Sequence, residues 1–324
     1  MRNRFTFPPE PQILSKLLVM LRTLLILGRV SNLPTVWSNL VAGWILVGGE
    51  IDASASLGLL FAGGSCLYTG GMFLNDFCDA DFDARYCPQR PIPAGKISRP
   101  TVGWIAVALF VAGLMSLASF GVATAVAGIL LVGAIVLYDF RHKDVSWAPL
   151  VMGLCRALLY LVAASAMRGF EIVRLVRYDW SLYLFAGILG LYVAGITWFA
   201  RGESRPEKTA RWALVLLFLP ALIQFGLNLA WGHPFQLAWY FDLPWLWTRC
   251  PLIYDLLLLV WIAWLLVPLW SGKNGSIGRV VSGLLAGVVL VDMIAIVGIP
   301  GAPAQLLLPF FLLALVLQRY IPAT

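Results

Sequence analysis

Runs of apolar residues recur along the whole 324-residue chain, broken only by short polar segments. About 20 residues of helix are needed to cross bilayer hydrocarbon. By that measure candidate spans fall at 33–49, 56–76, 101–119, 121–139, 148–167, 180–200, 211–230, 252–270, 278–298 and 303–320. The chain is 60% hydrophobic and only 12% charged, too little polar surface to enclose such runs in water. The pattern therefore predicts an all-α, polytopic membrane bundle, with one membrane-embedded domain over 1–324.

The N-terminal stretch reads differently. Residues 1–12 are polar and proline-bearing, and the apolar segment 13–27 carries Lys16 and Arg22 without a small-residue cleavage site. This excludes a cleaved signal peptide and predicts a cytoplasmic, interfacial amphipathic helix within residues 1–30. Charge then orients the chain. With the N-terminus inside, most of the 23 Lys and Arg residues fall in cytoplasmic segments, against Arg168, Arg174, Arg177 and Arg249 outside and Arg156 within a span. That asymmetry is the one expected of a multi-pass protein of the bacterial cytoplasmic membrane. The formal net charge of +7 has the same origin and implies no nucleic-acid partner.

Cys66, Cys78, Cys87, Cys155 and Cys250 are scattered without a C-x-x-C pair, so neither a zinc site nor a disulfide framework is indicated. The aromatic-rich segment from Trp231 to Pro251 reads as an interfacial belt on the outer side.

Chemistry concentrates where the second apolar run ends, in Asn75-Asp76-Phe77-Cys78-Asp79-Ala80-Asp81-Phe82-Asp83. On a helix Asn75, Asp79 and Asp83 share a face, with Asp76 beside them, and Asp81 points elsewhere. Carboxylates stacked this closely repel one another unless a cation lies between them. Hard oxygen ligands on one face suit Mg²⁺ shared with a phosphorylated substrate. Arg90-Pro91-Ile92-Pro93-Ala94-Gly95-Lys96 follows seven residues later.

Together these segments resemble the first signature of the UbiA superfamily of intramembrane prenyltransferases, N-D-x-x-D-x-x-x-D followed by R-P-x-P-x-G. The resemblance implies nine to ten transmembrane helices around a central cavity. It also implies transfer of an isoprenyl group from an isoprenyl diphosphate to a small aromatic acceptor, at a site facing the cytoplasm. It assigns Asp76, Asp79 and Asp83, with Asn75, to Mg²⁺. Arg90 is expected on the diphosphate, and Tyr138 and Lys143 match a Y-x-x-x-x-K element that faces the leaving group. Asn39, in the first span, is expected either to face the substrate or to bond between helices. Arg156, a cation inside a span, is expected to meet a substrate phosphate, the acidic cluster, or a later acid such as Asp255 or Asp292.

The resemblance weakens at the second signature, where the family repeats an aspartate pair near the end of the sixth span. Thr197 and Arg201 stand at those positions, and Glu203 and Glu207 lie beyond the apolar run with Pro206 between them. Either Arg201 replaces a metal as the charge facing the diphosphate, or the chain is a degenerate member that binds or helps translocate a polyprenyl precursor. An unrelated transporter, with Arg156 and Asp292 as midplane charges, is the remaining reading. The acceptor, the prenyl chain length and the oligomeric state stay open at this level.

Overall fold

The computed structural model describes residues 12–51, 55–141, 145–171, 173, 180–204, 210–230, 251–270, 276–297, 299 and 304–323. Among them the regular structure is helical and no strand occurs. The helices are α1 (Gln12–Leu27), α2 (Leu33–Leu46), α3 (Ala55–Tyr86), α4 (Arg99–Ala118), α5 (Val122–Arg141) and α6 (Ala148–Arg168). They continue with α7 (Ser181–Ser204), α8 (Leu219–Ala230), α9 (Pro251–Trp270), α10 (Ser276–Ala286), α11 (Val288–Ile296) and α12 (Leu308–Gln318). Lys143, Glu207, Cys250 and the aromatic segment 231–250 lie outside the described residues.

Eight helical segments among the described residues are long and apolar enough to cross a bilayer, nine if α1 and α2, which meet at 52°, form one broken span. The ten runs of the hydrophobic pattern thus overcount. The run at 303–320 yields the helical stretch Ala304–Gln318, and 15 residues rise only about 22 Å, short of the ~30 Å of hydrocarbon. α2 alone has 14 residues and reaches a span's length only together with α1. On α1 the side chains of Leu17 through Leu21 are exposed, whereas Thr23 and Leu27 are buried where the helix turns into the bundle.

Burial separates the wall from the interior. α4, α5 and α9 present Trp104, Met115, Ile129, Val260 and Trp264 outward, the surface expected of a helix facing lipid. α11 is buried at every position and packs against α2, α9 and α7. The C-terminal stretch closes on the α1–α2 junction: the Asn32 amide donates to the Ala323 carbonyl at 3.0 Å. α2 lies between α3 and α6, and α6 packs in turn on α5 and α7. The polar groups of these inner helices consequently face one another rather than lipid.

Candidate active site

α3 has 32 residues, about 48 Å of helix, so its last turns rise out of a ~30 Å apolar layer. The acids sit on those turns. Asn75, Asp76, Asp79 and Asp83 retain only 8, 7, 8 and 3% exposure, so the shared face is turned into the bundle. Asp81 is on the opposite side, with its side chain 81% exposed and paired to Arg99 at 3.1 Å.

The segment after α3 folds Arg90 back over these acids. The Cys87 N–H donates to the Asp83 carbonyl and the Ala94 N–H to that of Arg90, and Lys96 N–H reaches the Pro91 carbonyl at 3.0 Å. Gly95 closes the turn at φ 70°, a left-handed conformation that side chains disfavour. Ile92 anchors the turn in an apolar cluster with Leu27, Phe73 and Val102. Held this way, Arg90 Nη1 donates to Asp76 Oδ1 at 3.3 Å and to Asp83 Oδ2 at 3.1 Å. Burial opposes the Arg90 charge, but the fields of Asp76 and Asp83 outweigh it and hold the guanidinium pKa above its ordinary value. Arg90→Ala is expected to lower the thermal midpoint of the protein in lipid nanodiscs, because it leaves Asp76 and Asp83 without their shared cation. Thermal unfolding checks this, with Arg90→Lys expected to restore part of the loss.

Two residues that sequence reasoning left off the site complete it. Arg29 occupies the break between α1 and α2 with φ 43°, a conformation uncommon outside glycine and worth a functional reading. Its Nη2 donates to Asn75 Oδ1 at 3.4 Å and lies 3.9 Å from Asp76 Oδ1. Asp139, buried at the end of α5, accepts from Asn75 Nδ2 at 3.1 Å. The Asn75 carboxamide is thereby oriented from both ends. The signal for both residues was a charge at the mouth of an apolar run, Arg29 opening the first span and Asp139 adjoining Tyr138.

Arg29 and Asp139 also line a cavity of about 190 Å³, whereas Asn75, Asp76, Asp79, Asp83 and Arg90 are not among its lining residues. Its polar lining comes from Arg29, Asn32, Tyr138, Asp139, Arg156 and Thr197, and its walls are mostly apolar, with Met72, Leu131, Ile135, Met152, Val193 and Leu285 among them. Thr197 lines it while its hydroxyl donates to the Val193 carbonyl at 2.9 Å.

Other expected residues are placed elsewhere. Asn39 is not among the cavity-lining residues. It is fully buried, and its amide donates to both carboxylate oxygens of Asp292 at 2.9 Å. Of its two expected roles, the bond between helices is the one observed, because Asp292 on α11 needs donors. Arg201 is also absent from the cavity lining: its guanidinium donates to the carbonyls of Val145 at 3.0 Å and Ser146 at 3.4 Å, tying α7 to the α5–α6 connection. Lys143 belongs to that connection, outside the described residues.

The charge balance of the mouth would suit a divalent cation. Around the mouth four buried carboxylates, Asp76, Asp79, Asp83 and Asp139, face two guanidiniums, Arg29 and Arg90, an excess of negative charge that one divalent ion would offset. Asp76 Oδ1 and Asp83 Oδ2 already converge on a single positive atom, Arg90 Nη1. Among the described residues no three Asp, Glu, His or Cys side chains are grouped so that they could hold a metal ion by themselves. Mg²⁺ typically takes only one or two carboxylates and completes its shell with substrate phosphates and water.

Bundle, acidic mouth and apolar chamber together define a polytopic helical membrane protein with a buried polar site at the end of its spans. A model described as the UbiA prenyltransferase family matches residues 33–267, and the chain belongs to that family. It is 30% identical to digeranylgeranylglyceryl phosphate synthase of Methanopyrus kandleri over 46% of this chain and 52% of the relative. It is 26% identical to 4-hydroxybenzoate octaprenyltransferase of Idiomarina loihiensis over 51% and 53%. The chain thus spans about half the length of these curated relatives. In fold it resembles the apo structure of a UbiA homologue from Aeropyrum pernix K1, with a TM-score of 0.62 at 15% identity over 82% of this chain and 96% of that one.

Proposed function

We propose that this protein is an intramembrane prenyltransferase that moves an isoprenyl group from an isoprenyl diphosphate to a small aromatic acceptor, at a mouth facing the cytoplasm of a bacterial cell. The observation that carries the reading is the sharing of Arg90 Nη1 between Asp76 and Asp83, joined through Asn75 to Arg29 and Asp139, which line a largely apolar cavity. Of the expected ligands Asp76, Asp79, Asp83 and Asn75, one or two carboxylates together with the substrate's phosphates would hold Mg²⁺, which when bound supplies charge neutralisation and polarises phosphoryl oxygens.

The chain's own residues do the rest. Arg29 and Arg90 meet the diphosphate oxygens with charge-assisted bonds. The allylic C–O bond breaks and its electron pair leaves with the diphosphate. The apolar walls keep water from the resulting cation, and an electron pair of the acceptor forms the new bond as the acceptor loses a proton. Tyr138 and Thr197 line the cavity. The names of the two relatives point to different acceptors, so the prenyl group is the element they share.

The second reading is a degenerate member that binds a polyprenyl precursor without turnover. It is favoured by Thr197 and Arg201 standing where the family carries acids, and by Arg201 being engaged with backbone carbonyls. The experiment that separates the two incubates protein in nanodiscs with radiolabelled prenyl diphosphates of several lengths. Diphosphate release that needs Mg²⁺, stops with EDTA and is absent in Asp76→Ala is the expected result. Mg²⁺-dependent binding without release in the wild type supports the binder and defeats the enzyme.

A further inference from the structure

Arg156 is the strongest charge in the cavity that the diphosphate site does not use. It is 6% exposed and lines the chamber. Nη1 donates to Asn39 Oδ1 at 3.0 Å, and the guanidinium carbon lies 5.4 Å from the centre of the Tyr68 ring. An arginine carries five donors in a fixed fork, and Asn39 is its one hydrogen-bonded protein partner among the described residues. The remaining edge of the fork is available to the chamber.

A second layer of buried groups holds the side chain in that pose. Asp292, with no exposure at all, accepts from both Asn39 contacts at 2.9 Å, from the Tyr160 hydroxyl at 2.7 Å and from the Ser38 hydroxyl. With its oxygens fully supplied with donors, Asp292 fixes the Asn39 carboxamide so that Oδ1 is presented to Arg156. Helices α2, α6 and α11 thus cooperate to aim one cation, a costly arrangement for an apolar layer.

Its depth separates it from the diphosphate. Tyr68, which the guanidinium overlies, precedes Asp76 by eight residues on the same helix, about 12 Å along the axis. A diphosphate gripped at Asp76 and Asp83 therefore does not also reach Arg156, whereas an acceptor about one ring long, with its nucleophilic end at the allylic carbon, does.

We propose that Arg156 receives the anionic group of the acceptor, a carboxylate or phosphate monoester, and that Asn39 and Asp292 are positioning residues for it. This deepens the transferase reading and rests on it for the word acceptor, but the anion site itself is tested by binding alone. The probes are hydroxybenzoates, phenyl phosphate and the matching neutral hydroxybenzamides, with binding read as the shift in thermal midpoint of the protein in nanodiscs. The wild type is expected to bind at least one anionic probe at least tenfold more tightly than its neutral partner. Arg156→Gln is expected to erase that preference and Arg156→Lys to keep it with weaker affinity, while Asp292→Asn narrows it.

A non-hydrolysable prenyl thiodiphosphate separates the two anion sites. Anionic probes that still bind at saturating analogue support the proposal, and mutual competition overturns it by assigning Arg156 to the diphosphate. Equal binding of charged and neutral probes to the wild type, or no binding of either, also overturns it, whether or not diphosphate release is seen. Release without an anion preference leaves the transferase standing and removes only the acceptor site. If Arg156→Gln does not purify as a folded protein, the Lys variant and the competition arm decide.

Discussion

Asp83→Asn is expected to reduce prenyl transfer by ~10³-fold or more, with the protein still eluting as a folded species of unchanged helix content. Asp83 is the most buried acid of the cluster at 3% exposure and holds Arg90 at 3.1 Å. The amide keeps the shape but removes one of the two charges that Arg90 bridges, so the arginine loses its fixed position and any divalent ion loses a ligand. A factor of ~10³ corresponds to about 4 kcal/mol, within the range for removing one partner of a buried pair. Asp81→Asn is the matched control. Its carboxylate is exposed and paired with Arg99 at the surface, so the rate is expected to stay within twofold. Comparable losses in the two variants would mean that the acids act through net charge alone and would sink the geometric account.

Gly43→Val is expected to lower the thermal midpoint of the bundle by about 10 °C or to prevent its assembly. A Cβ at Gly43 would lie 2.7 Å from the Tyr160 Cα and 3.0 Å from its carbonyl carbon. Those are main-chain atoms that cannot rotate away, so α2 and α6 must separate. Small residues permit this close approach in membrane bundles, and overpacking costs roughly 1–3 kcal/mol or more, where each kcal/mol is worth about 2–4 °C in a large domain. The cost here lies at the upper end, because moving Tyr160 withdraws its hydroxyl from Asp292, 2.7 Å away, and leaves a buried carboxylate short of a donor. Gly133→Ala, where an added Cβ meets nothing within 4 Å, is expected to leave the midpoint unchanged. Thermal unfolding followed by tryptophan fluorescence compares the three proteins.

The acidic motif was legible because helical spacing alone puts Asn75, Asp76, Asp79 and Asp83 on one face and Asp81 off it, and burial follows that division. Arg90 was marked only by the resemblance of its R-P-x-P-x-G segment, and the turn that brings it back onto the acids was seen in the structure. Asn39 and Arg201 show the limit. Both are polar residues in or at the end of apolar runs, and a run does not say whether its polar side chain meets a ligand, another helix or a backbone carbonyl. That choice depends on partners such as Asp292 and Ser146, far away in sequence. Asp139 and Arg29 were passed over for the converse reason, since each acquires its role only by meeting Asn75 across a helix interface.

What the sequence determined by itself is therefore local: apolar runs that must become membrane helices, and an acidic face at the end of one of them. Period and composition suffice for that, because the bilayer allows few other arrangements. The tertiary structure decided the number of true spans, the bend that delivers Arg29, the chamber lined by Arg29 and Asp139 and the orientation of Arg156. Each of these depends on which helices lie side by side, and contacts between residues hundreds of positions apart leave no periodic trace in a single chain.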